Sequence, residues 1–137
     1  MSYNTIKTYF IRRMAANNFH ESDERFDFGA VADTFKNKFM LSSHVSGEEK
    51  ETLADRFYTD RTVVIKIAID YPEQNQRVEY DAFQSRIDAI IGDLPNPTNF
   101  QSDGIRNVTY SGHELTQEES YIVCDISFTV EDSITYG

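Results

Sequence analysis

Between Arg61 and Tyr71 the chain alternates, with Val63, Ile65, Ile67, Ile69 and Tyr71 on one side and Val64, Lys66, Ala68 and Asp70 on the other. A period of two sustained over this length fits an extended strand, because successive side chains of a strand point to opposite faces. Such a strand needs neighbours to pair with and a layer to cover its apolar face. Tyr121 to Glu131 repeats the pattern, with Ile122, Cys124, Ile126, Phe128 and Val130 set against Val123, Asp125, Ser127, Thr129 and Glu131. Any fold for this chain has to bring these two apolar faces together.

Helices are the natural cover. Ile6, Tyr9, Phe10 and Met14 recur at three and four residues, predicting a helix from about Tyr3 to Asn17 that ends at Asn17-Asn18. A second helix is expected from about Asp81 to Leu94, with Tyr80, Phe83, Ile87, Ile90, Ile91 and Leu94 as its apolar stripe. Asp81 and Gln84 have capping-box spacing, and Gly92, Pro95 and Pro97 end the helix. Two weaker strands complete the order. Lys36 to Ser43 alternates around Phe39 and Leu41, and Ile105 to Leu115 carries Val108 and Tyr110 on one face with Gly112 at a bulge position. The last two strands form an antiparallel hairpin. The expected fold is α+β: a mixed or antiparallel sheet of about four strands with two helices packed on one face, in a single domain over residues 1–137. Long loops fall at about 19–36 and 46–60.

Charge narrows the function. The chain carries 13 Lys and Arg against 23 Asp and Glu, a formal charge of −10, which repels a nucleic-acid backbone. Apolar runs such as Val63-Val64-Ile65 fall far short of the ~20 residues of a membrane-spanning helix. The N-terminal stretch, with Arg12 and Arg13 after its apolar residues, does not read as a secretory signal. The single cysteine, Cys124, sits mid-strand on an apolar face and reads as a buried packing residue. His20, His44 and His113 fall on loops or strand ends, and the carboxylates beside them point to opposite faces, so no metal set converges. The 6 glycines are not clustered into a phosphate-binding loop. No catalytic, cofactor or metal residues are assigned, and the chain is expected to act by assembly and not by chemistry.

The two long segments are where contacts with other proteins are expected. Ser46 to Arg61 is charged with both signs and holds Arg56, Phe57, Tyr58 and Arg61, residue types enriched at interfaces. The segment from Phe19 to Thr34 adds Phe26 and Phe28. These six residues are the candidate interface.

The arrangement resembles the tail terminator, or tail completion, proteins of long-tailed bacteriophages. An N-terminal helix leads through a polar segment to a short strand such as Lys38 to Ser43; after a variable loop come RTVVIKIAIDY, the helix YDAFQSRIDAIIGDL and a final hairpin closing with YIVCDISFTVED. The resemblance covers nearly the whole chain but carries no invariant signature. It implies a homo-hexameric ring on the head-proximal end of the tail tube, which ends tube polymerisation and joins the tail to the head connector or neck protein. It implies no enzymatic residues or cofactor, no membrane, and synthesis in the host cytoplasm before incorporation into the virion. Genomic DNA would pass through the ring without specific binding, a passage that like charge assists. The alternatives are another neck or minor tail assembly protein and, from a different class, an acidic DNA-mimic inhibitor.

Overall fold

The structure is a computed structural model that describes residues 3–22, 37–70, 76–117 and 121–136. Its order is α1 (Tyr3–Ala16), β1 (His20–Glu21), β2 (Lys38–Val45), β3 (Glu51–Thr52), β4 (Arg56–Asp70), α2 (Gln76–Asp93), α3 (Pro97–Gln101), β5 (Val108–Gln117) and β6 (Tyr121–Thr135). The class is α+β as expected, with six strands and three helices among the described residues in place of about four and two. The extra strands, β1 and β3, have two residues each, too few to show a period. The extra helix is a single turn started by Asn96, whose Oδ1 accepts from the Thr98 amide at 3.0 Å, with Pro97 in the first turn. Pro97 therefore opens a helix as well as following one.

The sheet runs β1-β2-β4-β6-β5, with β3 also paired to β4. Only β1 and β2 are parallel, so the sheet is mixed. Its spine is the β4–β6 ladder, unbroken from Arg56↔Thr135 to Asp70↔Tyr121. The pairing sets the two alternating apolar faces side by side: Val63↔Phe128, Ile65↔Ile126 and Ile67↔Cys124. The β5–β6 hairpin forms with a register shift between Tyr110 and Gly112, and Gly112 takes φ 137°, open to glycine and costly to other residues.

All three helices contribute to one core. Ile6, Tyr9, Phe10 and Met14 of α1 and Phe83, Ile87, Ile90 and Leu94 of α2 are buried with Val63, Ile65, Ile67, Cys124, Ile126, Phe128 and Val130. Of the expected stripe, Phe83, Ile87, Ile90 and Leu94 are fully buried and Tyr80 and Ile91 only partly, and α2 begins at Gln76 and not at Asp81. Asp81 caps nothing: it lies inside the helix and receives Arg77 from one turn back at 3.4 Å. A smaller second cluster of Ala68, Tyr121 and Val123, with Met40 beside it, lies on the other side of the sheet. Among the described residues, no helix is long and apolar enough to cross a membrane.

α1 ends in a Schellman turn. Phe19 N–H donates to the Met14 carbonyl at 2.9 Å and Asn18 N–H to Ala15 at 3.0 Å, with Asn18 at φ 66°. The turn drops Phe19 into the core beside Met14 and leads directly into β1. Arg13 then clamps α1 to the end of α2 with two bonds to Asp93, at 2.7 and 2.6 Å. The Tyr9 hydroxyl donates to the Leu94 carbonyl at the same junction.

Candidate functional site

The segment expected as a loop at 46–60 is largely part of the sheet. After β2 ends opposite Arg61, Ser46 and Gly47 donate to the Asp60 carbonyl at 2.9 and 3.2 Å. Lys50 N–H reaches Tyr58 at 2.7 Å, and Leu53 N–H reaches Arg56 at 2.7 Å to close a tight β3–β4 hairpin. The Thr59 hydroxyl donates to the Gly47 and Glu48 carbonyls at 2.8 and 3.0 Å. Gly47 lies so close that a Cβ there would meet the Asp60 Cβ at 3.1 Å. Polar side chains hid the strand: Arg56 to Arg61 lacks apolar alternation, and its partners come from Glu51–Thr52 and from the polar end of β6.

Of the candidate interface residues, Arg56, Phe57, Tyr58 and Arg61 all lie on β4, and Phe26 and Phe28 lie outside the described residues. Those on β4 do not form one patch, because alternation divides them between two faces. Arg61 is turned into the fold: Nε donates to Asp132 at 3.0 Å, Nη1 to the Ser43 hydroxyl at 3.4 Å, and its guanidinium sits 5.2 Å from the Tyr3 ring. Phe57 stacks on Tyr136 at 5.5 Å, and the Tyr136 hydroxyl donates to Glu49 at 3.1 Å. Tyr58 lies 4.5 Å beneath the Arg106 guanidinium. Arg56 reaches only Asp55, its neighbour in sequence, at 2.9 Å.

Around Tyr58 the charges alternate in a network. Arg106 meets Glu51 at 2.8 Å and Glu131 at 3.0 Å, while Lys50 meets Asp60 at 3.2 Å and Glu131 at 3.4 Å. The hydrogen bond from Arg106 to Glu51 and the bond from Lys50 to Asp60 are the main causes that hold both cations further toward their charged forms. An open recess of about 320 Å³ lies beside this network, lined by Thr5, Arg56, Tyr58, Asp103, Gly104, Arg106 and Ser133. Arg12 holds Asp103 in a bidentate pair, with contacts of 2.7 and 2.6 Å.

Among the described residues, no group of three or more His, Cys, Asp and Glu could hold a metal ion. His20, His44 and His113 are exposed, and His113 Nδ1 pairs with the Tyr110 hydroxyl at 2.5 Å. Cys124 is buried, and burial pushes its thiol up to about 12. The hairpin is exposed mostly through polar residues such as Glu48, Glu49 and Asp55, and its end adds two large apolar side chains, Leu53 at 43% and Tyr136 at 49% exposed. The Tyr136 amide donates to the Asp55 carbonyl at 3.0 Å, so both residues sit at one tip. Sequence reasoning missed Tyr136 and Arg106, and nothing near either residue in the sequence marks it. The chain matches no known protein-family model, and no curated protein is similar to it.

Proposed function

We propose that this chain is a ring-forming assembly protein of the tail-terminator type, which caps a phage tail tube and joins it to the head connector. The observation that carries the reading is the hairpin tip. The β4–β6 ladder runs past the helix-covered core and is stiffened there by β3, and at its end it holds Leu53 and Tyr136 out to solvent. Exposed apolar side chains held on a paired strand gain by being buried in a contact. The α+β class is compatible with the resemblance. A DNA mimic would need rows of bare carboxylates, whereas Asp60, Glu51 and Glu131 are each tied to a cation of the same chain. The test is the mass of the purified protein in solution together with electron microscopy. A ring, and tails of defined length only when the protein is present, is the expected result; a protein that stays monomeric and leaves tail length unchanged would end the reading.

A further inference from the structure

Arg12, Arg13, Arg56, Arg61, Arg77 and Arg106 each pair with a carboxylate within 3.4 Å. Among the described residues Arg86 is the one arginine that has none. It is nonetheless fixed in place. Its guanidinium lies 3.8 Å from the ring of buried Phe19, with Nη1 donating to Asn37 Oδ1 at 2.8 Å and Nη2 to the Asn18 carbonyl at 3.3 Å. Those neutral acceptors use two of its five N–H groups and leave its charge unanswered. Partial burial without a counter-charge lowers its pKa, the sign of a cation that would gain from an added anion. In a chain of formal charge −10 this is an unusual vacancy for a carboxylate.

Two apolar residues share its stripe of α2, among exposed polar neighbours such as Ser85 and Asp88. Val78, Ala82 and Arg86 recur every fourth residue along α2 and so share one stripe. Val78 is 64% exposed and Ala82 is exposed. The tip at the other end of the sheet is the complement of this stripe. There Leu53 and Tyr136 are exposed, Glu49 Oε1 accepts from the Thr52 and Tyr136 hydroxyls, and Glu48, whose carbonyl accepts from Thr59 a little further back, is exposed as well. Asn37 precedes β2, whose Phe39 faces Ile67, so the stripe and the tip are separated along β4 by on the order of 35 Å at about 3.3 Å per residue. One molecule cannot bring the two together.

We infer that the β3–β4 tip of one copy docks on the Val78–Arg86 stripe of α2 in the next, with Glu48 or Glu49 answering Arg86. Different surfaces meet in such a contact, so it runs head to tail and closes into a ring when the rotation between copies allows. The inference rests on the ring reading above and adds which surfaces form it.

The test compares assembly by wild type, Arg86→Glu, Glu48→Lys/Glu49→Lys and the combined triple variant, using mass photometry and sedimentation. Each reversal is expected to weaken assembly by at least about tenfold, and the triple variant, with the charges exchanged, to restore it. Arg86→Lys keeps the charge and is expected to assemble. Circular dichroism checks folding; should Arg86→Glu disturb it, the tip variant, whose changes are on exposed residues, decides alone. Wild-type assembly by the folded tip variant, or a triple variant that stays apart, would overturn the docking. Assembly that all variants retain would remove this contact and leave the ring reading standing, whereas a wild type that never associates would remove both.

Discussion

Arg61 donates through Nε to Asp132 at 3.0 Å, and the carboxylate that it meets is 1% exposed. The other oxygen of Asp132, Oδ1, is buried without a hydrogen-bond partner. Asp132 therefore depends on Arg61 for most of its compensation. Arg61→Met is expected to cost about 3–5 kcal/mol, because it strands a buried charge. Arg61→Met with Asp132→Leu is expected to recover much of that loss. Urea unfolding of the two single variants and the double measures the coupling, and additive losses would refute it.

Phe128 joins the sheet to α1, with its ring 5.7 Å from Phe10 and 6.2 Å from Tyr110. Phe128→Ala is expected to cost about 3–5 kcal/mol, from lost transfer energy and the cavity left behind. Thermal and denaturant unfolding measure this loss. A cost below about 1 kcal/mol would mean that the core is not organised around this ring.

Alkali should unfold the protein through two buried groups. Burial is the leading cause that pushes Cys124 from 9.0 to about 12 and Tyr9 from 10.0 to about 12, with Asp93 adding to the effect on Tyr9. Both groups are neutral in the fold. Their stabilising contribution is complete below the unfolded values and is lost as the pH rises from about 9 toward 12, where only the unfolded chain sheds the protons. Unfolding free energies measured across this window should fall steadily. Ellman's reagent at pH 8 should leave Cys124 unlabelled until denaturant is added.

Phe57→Ser with Tyr58→Ser removes the stack on Tyr136 and the ring beneath Arg106, both outside the helix-covered core. The expected result is a folded protein destabilised by roughly 1–3 kcal/mol that assembles less well, because the tip is no longer held in shape. Circular dichroism and mass in solution separate the two effects. Unchanged assembly would show that the posture of the tip does not matter.

The parts of the fold written in alternation or helical spacing were legible in the sequence. Val63 to Ile67 and Ile122 to Val130 face inward as their period requires, Ile6 to Met14 line α1, and Gly112 marks the bulge. What escaped was structure made by pairing alone. Arg56 to Asp60 become a strand because Glu51–Thr52 on one side and Glu131 to Thr135 on the other offer backbone partners, and no side-chain pattern records that. The candidate site was half legible for the same reason. Residue type singled out Arg56, Phe57, Tyr58 and Arg61, but composition could not tell that Arg61 would turn inward to Asp132. Nor could it tell that Arg106 and Tyr136, remote in sequence, would arrive as partners.

The β4–β6 ladder also bears on how fast the chain can reach this state. Its nearest rung, Asp70 to Tyr121, already closes a loop of more than a third of the chain, and α2, α3 and β5 all lie inside that loop. Closing so long a loop costs entropy before any rung rewards it, whereas the β5–β6 hairpin and α2 need only local contacts. α2 and the hairpin are therefore expected to form before the spine of the sheet, which would then zip from Asp70↔Tyr121 toward the tip. On the proposed ring reading, the docking tip would then be among the last parts to form, and a subunit could assemble only after its core was complete.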